Sequence, residues 1–120
     1  MLQNDLSAMT LEKGTILIVD DNELNCEILS IIFSAHPIII ASNGKEALDV
    51  IREKKGELDA VLLDYLMPQM DGLTFLEQVK EEKLLPRTPI FLITSEEDDT
   101  LAAKAFKLGV VDFIKRPLSA

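Results

Sequence analysis

Five short apolar runs, separated by segments of helical period, constrain the fold of this chain more than any other feature. Thr15–Val19 (TILIV) is a continuous, largely β-branched run, the pattern of a strand buried on both faces. Glu23–Ala35 reads as a helix with Leu24, Ile28, Ile31 and Ala35 on one face. His36–Pro37 breaks it, because proline disfavours helical geometry in the residue before it. Ile38–Ala41 is a second strand, Ser42-Asn43-Gly44 a turn, and Lys45–Lys55 a second helix ended by Gly56. Ala60–Leu63 is the third strand, Met67 to Gly72 a loop, and Leu73–Lys83 a third helix. Beyond Pro86 and Pro89 come a fourth strand, Ile90–Ile93, a helix, Glu96–Leu108, closed by Gly109, and a short fifth strand, Asp112–Ile114. Parallel neighbours need crossovers, so the expected fold class is α/β: a doubly wound five-stranded parallel sheet with helices on both faces. Only Arg116-Pro117-Leu118-Ser119-Ala120 follows the last strand, which is too short for a fifth helix, so part of one face is expected to lack cover.

Composition narrows the function classes. With 120 residues, 48% of them hydrophobic, the chain suits one compact domain with one core. A net charge of -9 argues against direct nucleic-acid binding and against an anionic membrane, since both need clustered Lys and Arg. No apolar run approaches the length of a membrane span. The single cysteine, Cys26, excludes an internal disulfide, reads as a small packed hydrophobe, and fits a reducing, cytoplasmic setting.

Four polar sets fall at or just after the C-terminal ends of the apolar runs: Asp20-Asp21, Asp64, Thr94-Ser95 and Lys115-Arg116. A parallel sheet brings all these ends to one edge, where open α/β folds bind their ligands. In a flavodoxin-like order, 2-1-3-4-5, the third strand neighbours the first and Asp64 comes beside Asp20 and Asp21. Three adjacent carboxylates repel one another unless a cation neutralises them. An all-oxygen set suits Mg²⁺ (or Mn²⁺), and the absence of His from the cluster disfavours zinc. A single such acid would more simply cap the following helix; three acids with a hydroxyl and a cation point to a site.

These segments carry a resemblance. ILIVDDN (Ile16–Asn22), ASNGKEAL (Ala41–Leu48), LLDYLMPQMDG (Leu62–Gly72), PIFLITS (Pro89–Ser95) and DFIKRPL (Asp112–Leu118) together resemble the receiver domain of two-component response regulators, over roughly Gly14 to Leu118. The resemblance implies a receiver domain in residues 15–120, truncated before its last helix, behind an N-terminal extension, residues 1–14. It implies that Asp64 accepts a phosphoryl group from a histidine kinase or phosphotransfer protein. Asp21, Asp64 and the backbone carbonyl of Leu66 would then bind Mg²⁺ directly, with Asp20 acting through metal-bound water. Thr94 matches the switch hydroxyl and Phe113 the switch aromatic, for which plain core packing is an equal reading. Leu66 and Glu96 fall at positions that tune the lifetime of the phosphoryl state. The family's lysine before the proline is here Arg116, with Lys115 one residue earlier and on the opposite strand face. Arg116 is the expected phosphate partner, through bidentate pairing, and the Arg116–Pro117 bond is expected to be cis.

The implied mechanism is a population shift of the face formed by Glu96–Leu108 and Asp112–Ile114. Lys104 and Lys107 beside Asp98 and Asp99 fit either salt bridges in a homodimer or solvated surface charge. The chain is expected not to be an enzyme beyond its own phosphorylation and dephosphorylation, with any output in a C-terminal domain. Asp64-Tyr65-Leu66 lacks the second acid of haloacid-dehalogenase-like phosphatases, and Asp20-Asp21-Asn22-Glu23 is no phosphate loop. The remaining alternative is a phosphorylation-impaired receiver acting as a protein-interaction module. For the uncovered face, a longer parent chain is preferred. Cover from the start, where Leu2, Leu6 and Met9 fall at helical spacing, and exchange of elements in a dimer are the alternatives.

Overall fold

The computed structural model describes residues 14–65, 67, 70–95 and 99–116. The elements in chain order are β1 (Thr15–Val19), α1 (Glu23–Ile32), β2 (Ile38–Ala41) and α2 (Gly44–Lys54), which runs into a 3₁₀ turn (Lys55–Glu57). Then follow β3 (Leu58–Asp64), α3 (Gly72–Glu81), β4 (Ile90–Thr94), α4 (Asp99–Lys107) and β5 (Val110–Lys115). All strands are parallel, in the order β2-β1-β3-β4-β5, so β1, β3 and β4 are internal. This is the doubly wound five-stranded architecture expected from the alternation of runs. Four α-helices accompany it among the described residues. None of these is long and apolar enough to cross a membrane.

Strand pleating divides the core in two. Leu17, Val19, Val61, Leu63 and Leu92 point to one face, where α2, α3 and α4 pack with Ile51, Phe75, Leu76 and Ala105. Ile16, Ile18, Leu62 and Ile93 point to the other, where Cys26 and Leu29 of α1 meet them. That second layer is thin. Ala60, Phe91 and Ile114 on it are only partly buried, and α1 is its sole helix among the described residues. The reading that the N-terminal Leu2, Leu6 and Met9 cover this face lies outside the described residues.

Several boundaries differ from the sequence expectation, for identifiable reasons. Helix α1 ends at Ile32 rather than Ala35, because Phe33 leaves helical geometry while its N–H makes the last helical bond, to Leu29 at 3.0 Å. Turn bonds from Ser34 to Ile31 and from His36 to Phe33 then carry the chain to Pro37. Its buried face is also not the expected one: Leu24 and Ile31 are 62% and 63% exposed, while Cys26 and Leu29 are buried. Apolar residues surround much of this helix, so the period alone did not decide which arc meets the sheet. Strands β3 and β5 extend beyond Ala60–Leu63 and Asp112–Ile114, since ladder bonds hold polar residues as well as apolar ones. Helices α2 and α3 begin one residue earlier than expected, at Gly44 and Gly72. Of the segment Glu96–Leu108, residues 99–107 are helical, and Glu96 and Asp98 lie outside the described residues. Gly109 closes α4 with φ 104°, the left-handed geometry that glycine adopts without a steric penalty.

Candidate functional site

The site lies where β1, β3, β4 and β5 end. Pairing of Val19 with Leu63 and of Asp64 with Ile93 sets Asp20, Asp64 and Thr94 side by side along the sheet edge. The backbone ladder continues past the strands: Asp20 N–H donates to Ala41 at 3.0 Å, Tyr65 N–H to Ile93 at 3.0 Å, and Arg116 N–H to Thr94 at 3.2 Å. Asp20, Asp64 and Thr94 are all buried, at 1%, 3% and 4% exposure, whereas Asp21 is exposed. Each of Asp20, Asp21 and Asp64 offers a carboxylate oxygen, and these lie within 4.8 Å of one another.

Helix termini hold the frame. Asp20 Oδ1 accepts from Asn22 N–H at 2.9 Å, and Asn22 Oδ1 caps α1 through Asn25 N–H at 2.9 Å. Asp71 caps α3 through Thr74 N–H at 2.9 Å. Gly72 N–H donates to the Tyr65 carbonyl at 2.8 Å. A Cβ on Gly72 would approach Tyr65 Cα to 3.1 Å and the Asp64 carbonyl oxygen to 3.2 Å. The Met-Asp-Gly segment thus docks the start of α3 directly against the strand end that carries Asp64.

Arg116 places a cation among the acids. Its Nη2 lies 2.9 Å from Asp20 Oδ2 and 3.0 Å from Asp64 Oδ1, with the side chain about one quarter exposed (26%). Its Nε is buried and has no hydrogen-bond partner among the described residues. Lys115 is exposed, and its backbone pairs with Thr94. Of the two basic residues, Arg116 is therefore the one inside the site. Phe113 is half-buried against the larger core layer and meets Phe106 edge-on, with ring centroids 5.2 Å apart. Leu66, Glu96 and the Arg116–Pro117 bond lie outside the described residues.

Cys26 reports the field of the cluster. Burial, and next the negative charges of Asp20, Asp21, Asp64 and Glu23, push its thiol up to about 11. Its Sγ lies 3.5 Å from the Asp20 carbonyl oxygen. The thiol is thus a packed, protonated group next to the site. Sequence reasoning placed Cys26 in the helix but missed this proximity. It also missed the bridge from Arg116 to Asp20, since residues 96 positions apart carry no local signal of contact.

The donor set fits a hard divalent cation. All the offered ligands are carboxylate oxygens, with no imidazole or thiolate in the group, which favours Mg²⁺ over zinc.

The chain shows the same pattern when compared with known proteins. A family model described as the response regulator receiver domain matches residues 16–120. The transcriptional regulatory protein ZraR of Escherichia coli K12 is 33% identical over 112 residues, covering 92% of this chain and 24% of that protein. A protein-glutamate methylesterase/protein-glutamine glutaminase of Methanospirillum hungatei is 36% identical over 106 residues, covering 85% of this chain and 30% of that protein. The chain therefore spans about a quarter to a third of the length of these relatives. Among solved structures, a putative response regulator from Chloroflexus aurantiacus superposes with TM-score 0.78 at 30% identity, covering 89% of this chain and 88% of that one. With a family model spanning nearly the whole chain and relatives above 30% identity, the chain belongs to the response regulator receiver domain family.

Proposed function

We propose that the chain is a phosphoacceptor switch in which Asp64 takes a phosphoryl group from the phosphohistidine of a histidine kinase or phosphotransfer protein. The observation that carries this reading is the burial of Asp64 at the end of β3, beside Asp20 and Asp21 on one side and followed on the other by the strand ends that bear Thr94 and Arg116. An Asp64 oxygen attacks phosphorus as the bond from phosphorus to the histidine nitrogen breaks. The nitrogen leaves with the electron pair and then takes a proton. Asp21, Asp64 and the Leu66 carbonyl would hold Mg²⁺, with Asp20 acting through its water ligands. When bound, the ion supplies positive charge for the phosphoryl oxygens. Arg116 and the Thr94 hydroxyl serve as partners for the transferred group, and Phe113 follows Thr94 in changing the face of α4 and β5.

In this reading residues 15–120 are the receiver unit, residues 1–14 an extension, and the output belongs to another domain. The protein acts in the cytoplasm. Incubation with acetyl phosphate and Mg²⁺ tests the proposal: a phosphoryl group appears on Asp64, labile in base, and is lost in Asp64→Asn. An acid-stable phosphate, or none, would overturn it and leave the interaction-module reading, which the displacement of lysine by Arg116 favours. Leu66 and Glu96 set the lifetime of the phosphoryl state, since an apolar Leu66 cannot orient an attacking water. Leu66→Asn therefore shortens that lifetime in a radiolabel chase; an unchanged or longer lifetime removes this role.

A further inference from the structure

We infer that Arg116 is a built-in competitor of the divalent cation, so that metal loading requires its guanidinium to leave Asp20. The inference rests on the receiver reading and concerns the regulation of the same site. One nitrogen, Nη2, bridges two carboxylates, at 2.9 Å from Asp20 and 3.0 Å from Asp64. Both acids are buried and both belong to the group of three that offers oxygens to a metal. A guanidinium is more weakly hydrated than an ammonium and forms short, charge-assisted bonds to carboxylates. It therefore stays in a partly buried acidic pocket that a lysine would more readily leave for water.

The two cations ask for the same charge. Asp20 has its Oδ1 engaged by Asn22 N–H and its Oδ2 by Arg116, so a metal-bound water has to share an oxygen with one of these donors, and the guanidinium already neutralises the charge the metal would use. Arg116 also has somewhere to go. Its buried Nε–H lacks an acceptor among the described residues. A phosphoryl oxygen on Asp64 would satisfy that donor and leave a nitrogen beside it for a second bond, the two-point geometry natural to arginine. The bridge therefore belongs to the resting arrangement, and in the phosphorylated state Nη2 leaves the acids to join Nε, on the same edge of the guanidinium, in binding the phosphoryl group. By linkage, the apparent affinity for metal is reduced to the fraction of molecules in which the bridge is open.

Calorimetric titration with MgCl₂ separates the possibilities. In Arg116→Met, which keeps an apolar stem and loses the charge, Mg²⁺ binds roughly tenfold more tightly or better, with Arg116→Lys between it and the parent. The melting temperature of Arg116→Met in EDTA falls, while its rise on adding Mg²⁺ exceeds that of the parent. A side chain with only a packing role would lower the first value and leave the affinity unmoved. In the unaltered protein the Nε–H NMR signal of Arg116 shifts with the same Mg²⁺ midpoint as the calorimetry, which decides the matter even if the variants fold poorly. Unchanged or weaker Mg²⁺ binding in folded Arg116→Met, or an Nε signal unmoved at saturation, overturns the inference while leaving the receiver reading intact. Absence of both Mg²⁺ binding and Asp64 phosphorylation in the parent overturns the two together.

Discussion

At the scale of single residues, the site depends on side chains that share partners across strand ends. Asp20 joins three of them: it steadies the Asn22 cap, meets Arg116, and lies against Cys26 through its carbonyl. Cys26 makes this coupling measurable. Its folded thiol is raised from 9.0 to about 11, so the native state holds a proton that the unfolded chain releases first. The stabilising contribution is complete below pH 9 and is lost as pH rises towards 11. Cys26→Ala should therefore show a shallower fall in urea midpoint over that window than the parent. An identical slope would refute the assignment. Gly72 gives a second test. A methyl there presses on the backbone of Tyr65 and Asp64, so Gly72→Ala should cost about 1–3 kcal/mol in chemical denaturation. The residue types at Asp20, Asp64 and Thr94 were legible in the sequence because each directly follows or ends an apolar run. The Arg116 bridge was not, because it is a contact across the sheet edge.

At the scale of elements, helix starts were more legible than helix faces. Asn22 and Asp71 are side-chain caps written locally, and both hold their helices as their residue types imply. Loss of the second cap in Asp71→Ala should lower stability by about 1 kcal/mol. It should also speed amide exchange in the first turn of α3, and unchanged exchange there would count against the cap. The buried face of α1 differs from the one its periodicity predicts. Leu24, Ile28 and Ile31 do recur at helical spacing, yet Cys26 and Leu29 meet the sheet. Substituting exposed Ile31 by Ser should therefore be near neutral, within about 0.5 kcal/mol. Leu29→Ala should cost about 2–5 kcal/mol. Equal losses at the two sites would restore the sequence-based face. Between helices, an exposed clamp joins α2 to the C-cap of α3, with Arg52 Nε 3.1 Å and Nη2 2.8 Å from the two oxygens of Glu82. Such a pair sets orientation more than stability, because solvent screens it.

At the scale of the whole molecule, charge and layering decide how the fold responds to its surroundings. A chain of net charge -9 that gathers three acids at one edge repels itself, and salt relieves part of that repulsion. The melting temperature should rise from low to moderate NaCl, and rise further with MgCl₂ at equal ionic strength. Equal effects of the two salts would argue against a specific divalent site. The two layers are unequal, with three helices on one face of the sheet and α1 alone on the other among the described residues. The sequence by itself determined the fold class, the strand order that the family resemblance implies, and the residues gathered at the edge. Burial on both faces shapes β1 and β3 as near-continuous apolar runs, and parallel strands end on one side. Only the tertiary structure decided which arc of α1 is buried, how far the strands extend, and that Arg116 spans Asp20 and Asp64. Those outcomes depend on contacts between segments far apart in the chain, whose balance of packing and charge no local pattern records.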